Sequence, residues 1–190
     1  DTLIELALDY AHAGLYADAL KALDSARVTG PMLKYTAGWI QEQAGHRAEA
    51  IAAFRDATRL SPDYCFPNRL EDVLSLTTAM RLNPEDARAP YYLGNFWYAH
   101  RRYDEAIADY TLVIQKMPAN HAAINMRGKA YLEKGLNKPA LQDFEQAIKL
   151  QPNNSEYQMN KTRALLRNIK DNQDELKKHG VTPTPLPQKQ

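Results

Sequence analysis

The sequence predicts an all-α protein, a solenoid of helical hairpins with one unpaired helix and a C-terminal capping helix. The main observation is that residues 87–120 are followed by a second stretch, 121–154, with the same pattern at a spacing of 34 residues. Four pairs of residues match at this spacing: Gly94 and Gly128, Ala106 and Ala140, Tyr110 and Phe144, and Pro118 and Pro152. Apolar residues before and after this region also recur at helical spacing. A tandem helical module explains both observations.

Each position of the module has a physical role. A glycine in the first helix lets the second helix cross closely, because a Cβ there would hold the two apart. Trp97 and Tyr131 are expected to fill the space beside that crossing. We expect Tyr110 and Phe144, with Val113 and Ala147, to face the following repeat. A proline ends each second helix, since it cannot continue one.

Residues 1–30 form a first repeat in which fewer positions match the residue pattern of the module. Leu6, Tyr10, Ala19, Leu23 and Ala26 would share one apolar face on either side of a turn at residue 14. Residues 31–64 form a second repeat, with Gly38 at the helix crossing and Phe54 in the second helix.

Residues 65–86 are irregular, because only one helix fits between Pro67 and Pro84. We place it at about 69–82, with Asn68 as its N-cap and Glu71 as the capping-box partner. By the 34-residue spacing it takes the second-helix position of a repeat whose first helix is replaced by an extended strap. Tyr64 and Phe66 should then plug the space left by that first helix, or a pocket should open there.

A longer helix at residues 155–178 has the apolar spacing and the many charges of a capping element, in which one face is polar. We expect residues 179–190 to be a disordered tail, because three of them are prolines at alternate positions. Its PTPLP segment is either a spacer or a ligand of the kind that SH3 domains bind.

Composition excludes several classes of function. The chain has 190 residues, 44% of them hydrophobic, which is enough for a continuous core. A formal net charge of +1 gives no general attraction for nucleic acid or anionic membrane. One cysteine, Cys65, cannot build a disulfide framework, and we expect it to be a buried structural thiol in a cytoplasmic protein. No apolar run is long enough to span a membrane. The opening residues, DTLIELALDY, resemble the middle of a helix, so we expect the chain to begin inside a larger protein.

The 34-residue period, with its glycine, alanine, aromatic and proline positions, resembles the tetratricopeptide repeat (TPR). YCFPNRLED followed by ARAPYYLGNFWYAHRRYDEAI is also similar to the TPR region of large bacterial proteins that carry a domain of unknown function. Residues 109–175 look like generic bacterial TPR sequence, so the chain is also compatible with a composite or designed repeat protein. The resemblance implies a right-handed solenoid that binds peptides on a concave surface lined by first helices.

Counting from the glycines, we predict nine residues to face a peptide-binding groove: Tyr35, Trp39, Arg88, Tyr91, Asn95, Tyr98, Asn125, Lys129 and Arg163. Asparagine amides can bond a peptide backbone in both directions, and tyrosines offer rigid contact area with a polar tip. The carboxylate clamp of chaperone-binding TPR domains is not expected. Asn95 matches one of its positions, but Tyr91, Met126 and Glu156 stand where Lys, Asn and Lys are needed.

We expect no enzyme, cofactor or metal site. The five histidines have no metal-ligand spacing, and Asp104 with Glu105 opens a second helix, where acidic residues favour the helix dipole. A nucleic-acid surface on the last helix is disfavoured, because acidic residues such as Asp171 interrupt its lysines and arginines. The predicted function is a protein–protein interaction scaffold. The alternative is a structural or self-associating module, a homo-oligomer formed through the solenoid ends or the last helix.

Overall fold

The computed structural model describes residues 2–26, 30–61 and 65–179. Within these ranges the chain forms ten α-helices and no strand. In chain order the helices are α1 (Thr2–His12), α2 (Tyr16–Asp24), α3 (Pro31–Gln43), α4 (Arg47–Ala57), α5 (Leu70–Leu82), α6 (Arg88–Ala99), α7 (Tyr103–Lys116), α8 (His121–Glu133), α9 (Asn137–Leu150) and α10 (Ser155–Lys178). The all-α fold class is confirmed. Among the described helices, none combines the length and the apolar character that crossing a membrane requires.

The chain divides into two compact units. Residues 1–118 form the first unit, which contains the hairpins α1–α2, α3–α4 and α6–α7 together with α5. The second unit, residues 119–190, contains the hairpin α8–α9, and α10 packs mainly on α9. In each hairpin we call the earlier helix the first helix and the later one the second helix.

Three hairpins are built on one contact, a glycine of the first helix against an aromatic ring of the second. A Cβ added at Gly38 would lie 2.4 Å from the Phe54 ring, and one at Gly94 would lie 2.7 Å from the Tyr110 ring. The third contact is at Gly128, where the distance to the Phe144 ring is 2.7 Å. The close crossing predicted at these glycines is thus present. The rings of Tyr110 and Phe144 pack on the glycine of their own hairpin, and Phe144 also shares a buried cluster with Ala164 of the following helix α10.

The first repeat uses a different face of α1 from the one we expected. Its buried residues are Ile4, Ala7, Leu8 and Ala11, which pack with Ala19 and Leu23 of α2. Leu6 is 42% exposed and Tyr10 is half-buried, so neither forms the centre of this core.

The irregular segment begins its helix one residue later than predicted, with another cap. The backbone N–H groups of Asn68 and Arg69 both donate to Asp72 Oδ2, at 2.9 and 3.0 Å. The N-cap is therefore Arg69 and not Asn68, and the capping carboxylate belongs to Asp72 and not Glu71. Asp72 is buried, so both N–H donors are satisfied inside the fold.

Helix α5 lies against first helices and not in the row of second helices. It packs chiefly on α3 and α6, and Leu76 and Ala79 are fully buried there. Ion pairs also join its two ends to first helices: Arg69 lies 3.2 Å from Glu5 of α1, and Arg81 lies 3.0 Å from Glu42 of α3. The 34-residue spacing predicted the helix but not the surface that it covers.

The predicted plug at the strap is not formed by Phe66, which is 76% exposed. Tyr64 lies outside the described residues. Of the described strap residues, Cys65 and Pro67 are buried, and Cys65 joins the core cluster. Burial raises the pKa of the Cys65 thiol to about 11, so the thiol stays protonated at neutral pH. A pocket of about 370 Å³ does open in this unit, but its lining includes Asn83, Arg88 and Lys116 and none of the described strap residues.

The capping helix α10 covers residues 155–178 as predicted. Its outward face is not polar throughout, since Leu165, Leu166 and Ile169 are between 41% and 63% exposed. Of the predicted tail, residues 180–190 lie outside the described part of the chain.

Candidate functional site

Tyr35, predicted to face the groove, is instead fully buried in the core of the first unit. Its ring packs against Phe54 and meets Tyr92 of α6 edge-on. Burial, and then the charge of Asp86, raise the pKa of the Tyr35 phenol above its ordinary value, so the hydroxyl keeps its proton. It donates to Asp86 Oδ2 at 2.8 Å. Asp86 also accepts from the backbone N–H groups at the start of α6, so Tyr35 holds two elements together and is closed to a ligand.

Trp39 is also buried, with 8% of its surface exposed. It packs into the core of the first repeat beside Leu8 and Leu23, and the ring of His12 meets it edge-on at 6.0 Å. The prediction failed because α1 is apolar where a groove-lining helix would be polar.

On α6 the predicted residues remain partly exposed. Tyr91, Asn95 and Tyr98 are all half-buried, and their spacing places them on one side of the helix. The ring of Tyr91 packs 6.0 Å from that of Tyr110, and the ring of Tyr98 meets that of Tyr103 edge-on at 5.6 Å. We call these three residues the α6 face. Both tyrosines are therefore held by packing against α7.

Asn95 is oriented by a residue that the sequence did not single out for this purpose. The Tyr110 hydroxyl donates to Asn95 Oδ1 at 2.8 Å. Burial raises the pKa of the Tyr110 phenol, so this donor is retained. The bond fixes the orientation of the amide, and the side chain of Asn95 is half-buried. Arg88, by contrast, is occupied, since its guanidinium donates to the backbone carbonyl of Leu60.

In the second unit, Asn125 is buried and does not face a groove. It is 3% exposed, and its Oδ1 accepts a hydrogen bond of 3.0 Å from Asn160 of α10. Lys129 is half-buried and lies 3.7 Å from the carboxylate of Glu156. Arg163 is exposed on α10.

Two charged groups of the hairpins were not singled out from the sequence. Asp109 of α7 has a pKa raised to about 7, chiefly by burial, although the Trp97 indole donates to it. Arg127 of α8 makes a bidentate pair with Asp143 of α9, both contacts being 2.8 Å. Neither lies in a cluster of metal-ligating side chains, and the described residues hold no such cluster. Both groups serve the packing of a hairpin.

These observations define a class of protein: a helical-repeat protein whose hairpins are closed by a glycine and an aromatic ring. A family model for the tetratricopeptide repeat matches residues 4–64 and 74–121, and a second model of the same description matches residues 121–154. The chain therefore belongs to the tetratricopeptide repeat family.

The chain is also similar to several solved structures. The chain is similar to a MamA RS-1 ArsTM double mutant, at 16% identity over 88% of this chain and 83% of that one, with a TM-score of 0.51. A crystal structure of MamA is 26% identical over 80% of this chain and 77% of that one, with a TM-score of 0.43. YrrB, described as a TPR protein with an unusual peptide-binding site, is 22% identical over 85% of this chain and 89% of that one, with a TM-score of 0.43. No curated protein matches the chain.

Proposed function

We propose that this chain is a protein–protein interaction module that binds an extended peptide across the α6 face. Family membership supports the general role, because tetratricopeptide repeats are typically interaction modules without catalytic activity. The observation that supports the particular site is the orientation of Asn95. Its oxygen is bonded to Tyr110, and the half-buried side chain lies on the same side of α6 as two packed tyrosines.

The α6 face suits an extended backbone for physical reasons. An amide Nδ2 can donate to a peptide carbonyl, and its orientation is already set, so little conformational entropy is lost on binding. Tyrosine rings that packing holds in place add contact area at low entropic cost. The remaining predicted residues of the first unit do not contribute, because Tyr35 and Trp39 are buried and Arg88 is bonded to the backbone carbonyl of Leu60.

A display library of random 12-residue peptides provides the probe, and the best binder is then titrated by calorimetry. We expect Asn95→Ala to weaken binding about tenfold, since one hydrogen bond contributes about 1 kcal/mol. Tyr110→Phe is the matched control, because it removes the same internal bond and leaves the amide in place. Equal losses in the two variants, or a library that yields no binder, would contradict the proposal. A peptide ending in an acidic chaperone-type tail should not bind, since the clamp positions are not matched.

Self-association is the second candidate function. The observation that favours it is the set of exposed apolar residues on α10. Light scattering across a range of concentrations tests it directly. A mass of two chains that falls to one in Leu166→Glu would establish a homo-oligomer formed through α10.

A further inference from the structure

Helix α10 stands in the position of a first helix. Its residues Tyr157, Asn160 and Ala164 are buried against the preceding hairpin, and Asn160 bonds Asn125 of the first helix α8. The 34-residue period also aligns the two helices, so Thr162 corresponds to Gly128 and Leu165 to Tyr131.

In α8 the residues at those two positions, Gly128 and Tyr131, pack against the second helix α9. Gly128 takes the ring of Phe144, and Tyr131 packs on the buried cluster that contains Ala140 and Phe144. In α10 the same positions are open: Thr162 is exposed and Leu165 is 41% exposed. Within the described residues, α10 is thus a first helix without its second helix.

The open face of α10 is also positively charged. A depression of about 560 Å³ runs along α10, lined by Met159, Thr162, Arg163, Leu166, Arg167 and Lys170. Three of these residues are cations, and one of them, Arg167, also donates to the backbone carbonyl of Leu132. They surround Leu166, which is 63% exposed and corresponds by the repeat period to Tyr98 of α6.

The hairpin α6–α7 indicates what would lie beside Leu166. There, Tyr98 contacts Tyr103, the first residue of the second helix. The start of a helix docked on α10 would therefore lie close to Arg163, Arg167 and Lys170. Acidic residues in the first turn of that helix would pair with these cations and would also favour its own dipole.

The side chain that meets Thr162 can be deduced from the other repeats. An aromatic ring faces the first helix wherever that helix has glycine, as in Gly94 with Tyr110. The turn glycines Gly14 and Gly45 are 31 residues apart, so the residue of the first repeat that corresponds to Gly38 is Ala7. The second helix of that repeat supplies Leu23 to the same cluster. Threonine is larger than alanine, so the residue opposite Thr162 should be aliphatic.

We propose that α10 binds an amphipathic helix of another protein, which completes the hairpin as its second helix. That helix has acidic residues in its first turn and an aliphatic residue against Thr162. A second copy of this chain fits less well, because it would bring the same three cations to the seam, and like charges across an interface lower affinity.

The probe is a labelled, acetylated and amidated peptide with the sequence of α7, Tyr103–Lys116, carrying Tyr110→Leu. It has the apolar spacing of a second helix and acidic residues in its first turn. A matched peptide also carries Asp104→Asn and Glu105→Gln. Fluorescence anisotropy with the full chain should show the acidic peptide binding at least tenfold more tightly than the neutral one.

Variants of the chain test the site and its register. Arg163→Glu with Lys170→Glu should weaken binding of the acidic peptide at least tenfold. Lys138→Glu with Lys149→Glu makes the same change of net charge on α9 and should alter binding less than twofold. Thr162→Gly should reverse the peptide preference, so that the native Tyr110 sequence binds better than its leucine form.

Several results would overturn the inference. These are no binding at millimolar peptide, equal binding of the acidic and neutral peptides, equal losses in the two charge-reversed chains, or an unchanged preference in Thr162→Gly. A chain that is already dimeric through α10, and becomes monomeric with Leu166→Glu, would identify a second copy as the occupant instead. Asn95→Ala should leave this binding unchanged, so the outcome is independent of the α6 face.

Discussion

Replacing Gly94 with alanine should destabilise the first unit although alanine favours a helix. The added Cβ would lie 2.7, 2.9 and 3.1 Å from three ring carbons of Tyr110, whereas carbon atoms pack best at about 3.5–4.0 Å. The ring would have to move by about 1 Å. It is fully buried and its hydroxyl is bonded to Asn95, so it has little room.

The magnitude follows from two opposing effects. Overpacking a tight core costs about 1–3 kcal/mol, and the replacement of a helical glycine by alanine gains about 1 kcal/mol. Because Tyr110 is held at both ends of its ring, we expect the upper part of the first range. The net loss in free energy of unfolding should therefore be about 1–2 kcal/mol.

Urea unfolding monitored by circular dichroism and by tryptophan fluorescence measures this loss. Trp97 lies in the affected hairpin and reports on it locally. Tyr110→Leu provides the control, because it removes the ring that the new Cβ meets. In the double variant the two losses should be less than additive by at least about 1 kcal/mol. A Gly94→Ala chain more stable than the parent, or strictly additive losses, would refute the packing argument.

Two further predictions concern the buried charges. Arg127→Ala should lower the free energy of unfolding of the second unit by about 3 kcal/mol, measured by thermal unfolding, because it leaves the carboxylate of Asp143 buried without its partner. The control Lys21→Ala removes only an exposed ion pair and should change stability by less than about 0.5 kcal/mol. Equal effects would contradict this. Burial raises the pKa of Asp109 to about 7 in the folded chain, whereas the same carboxyl loses its proton near pH 4 in the unfolded chain. The free energy of unfolding should therefore fall as the pH rises from about 4 to 7. Asp109→Asn should accordingly raise the free energy of unfolding at pH 8 by about 1 kcal/mol, a value reduced because the carboxyl is partly exposed, and should have little effect near pH 4. A stability difference that does not change with pH would exclude titration of this carboxyl as the cause.

The repeat architecture was predictable because it rests on residue sizes at fixed spacing. Gly94 and Tyr110 are separated by one helix, a turn and part of the next helix, and Gly128 and Phe144 repeat that separation. A pattern of this kind specifies which helix faces which within a hairpin. It predicted the crossings and the capping helix, and the structure confirms both.

The groove residues were predicted less well, because their exposure depends on contacts that do not recur from one repeat to the next. Tyr35 has the spacing of a groove residue, but it is buried in a cluster to which α5 and α6 also contribute. Asn125 also has the spacing of a groove residue, but Asn160 of α10 covers its side chain. The sequence offered one signal of such closure, the apolar residues along α5, but the 34-residue spacing assigned that helix to the second-helix position of a repeat.

The two helices without a hairpin partner solve the same physical problem in opposite ways. An amphipathic helix must cover its apolar side, and α5 does so within the chain, by packing on α3 and α6. That packing closes the surface of α3 around Tyr35. Helix α10 covers only the side that faces the preceding hairpin and leaves Leu166, Arg163 and Lys170 on its open side. The irregular helix in the middle of the chain therefore removes a binding surface, and the one near its end supplies another. A partner that docks on this chain should accordingly meet α6 or α10, and substitutions on the buried side of α3 should affect stability before they affect binding.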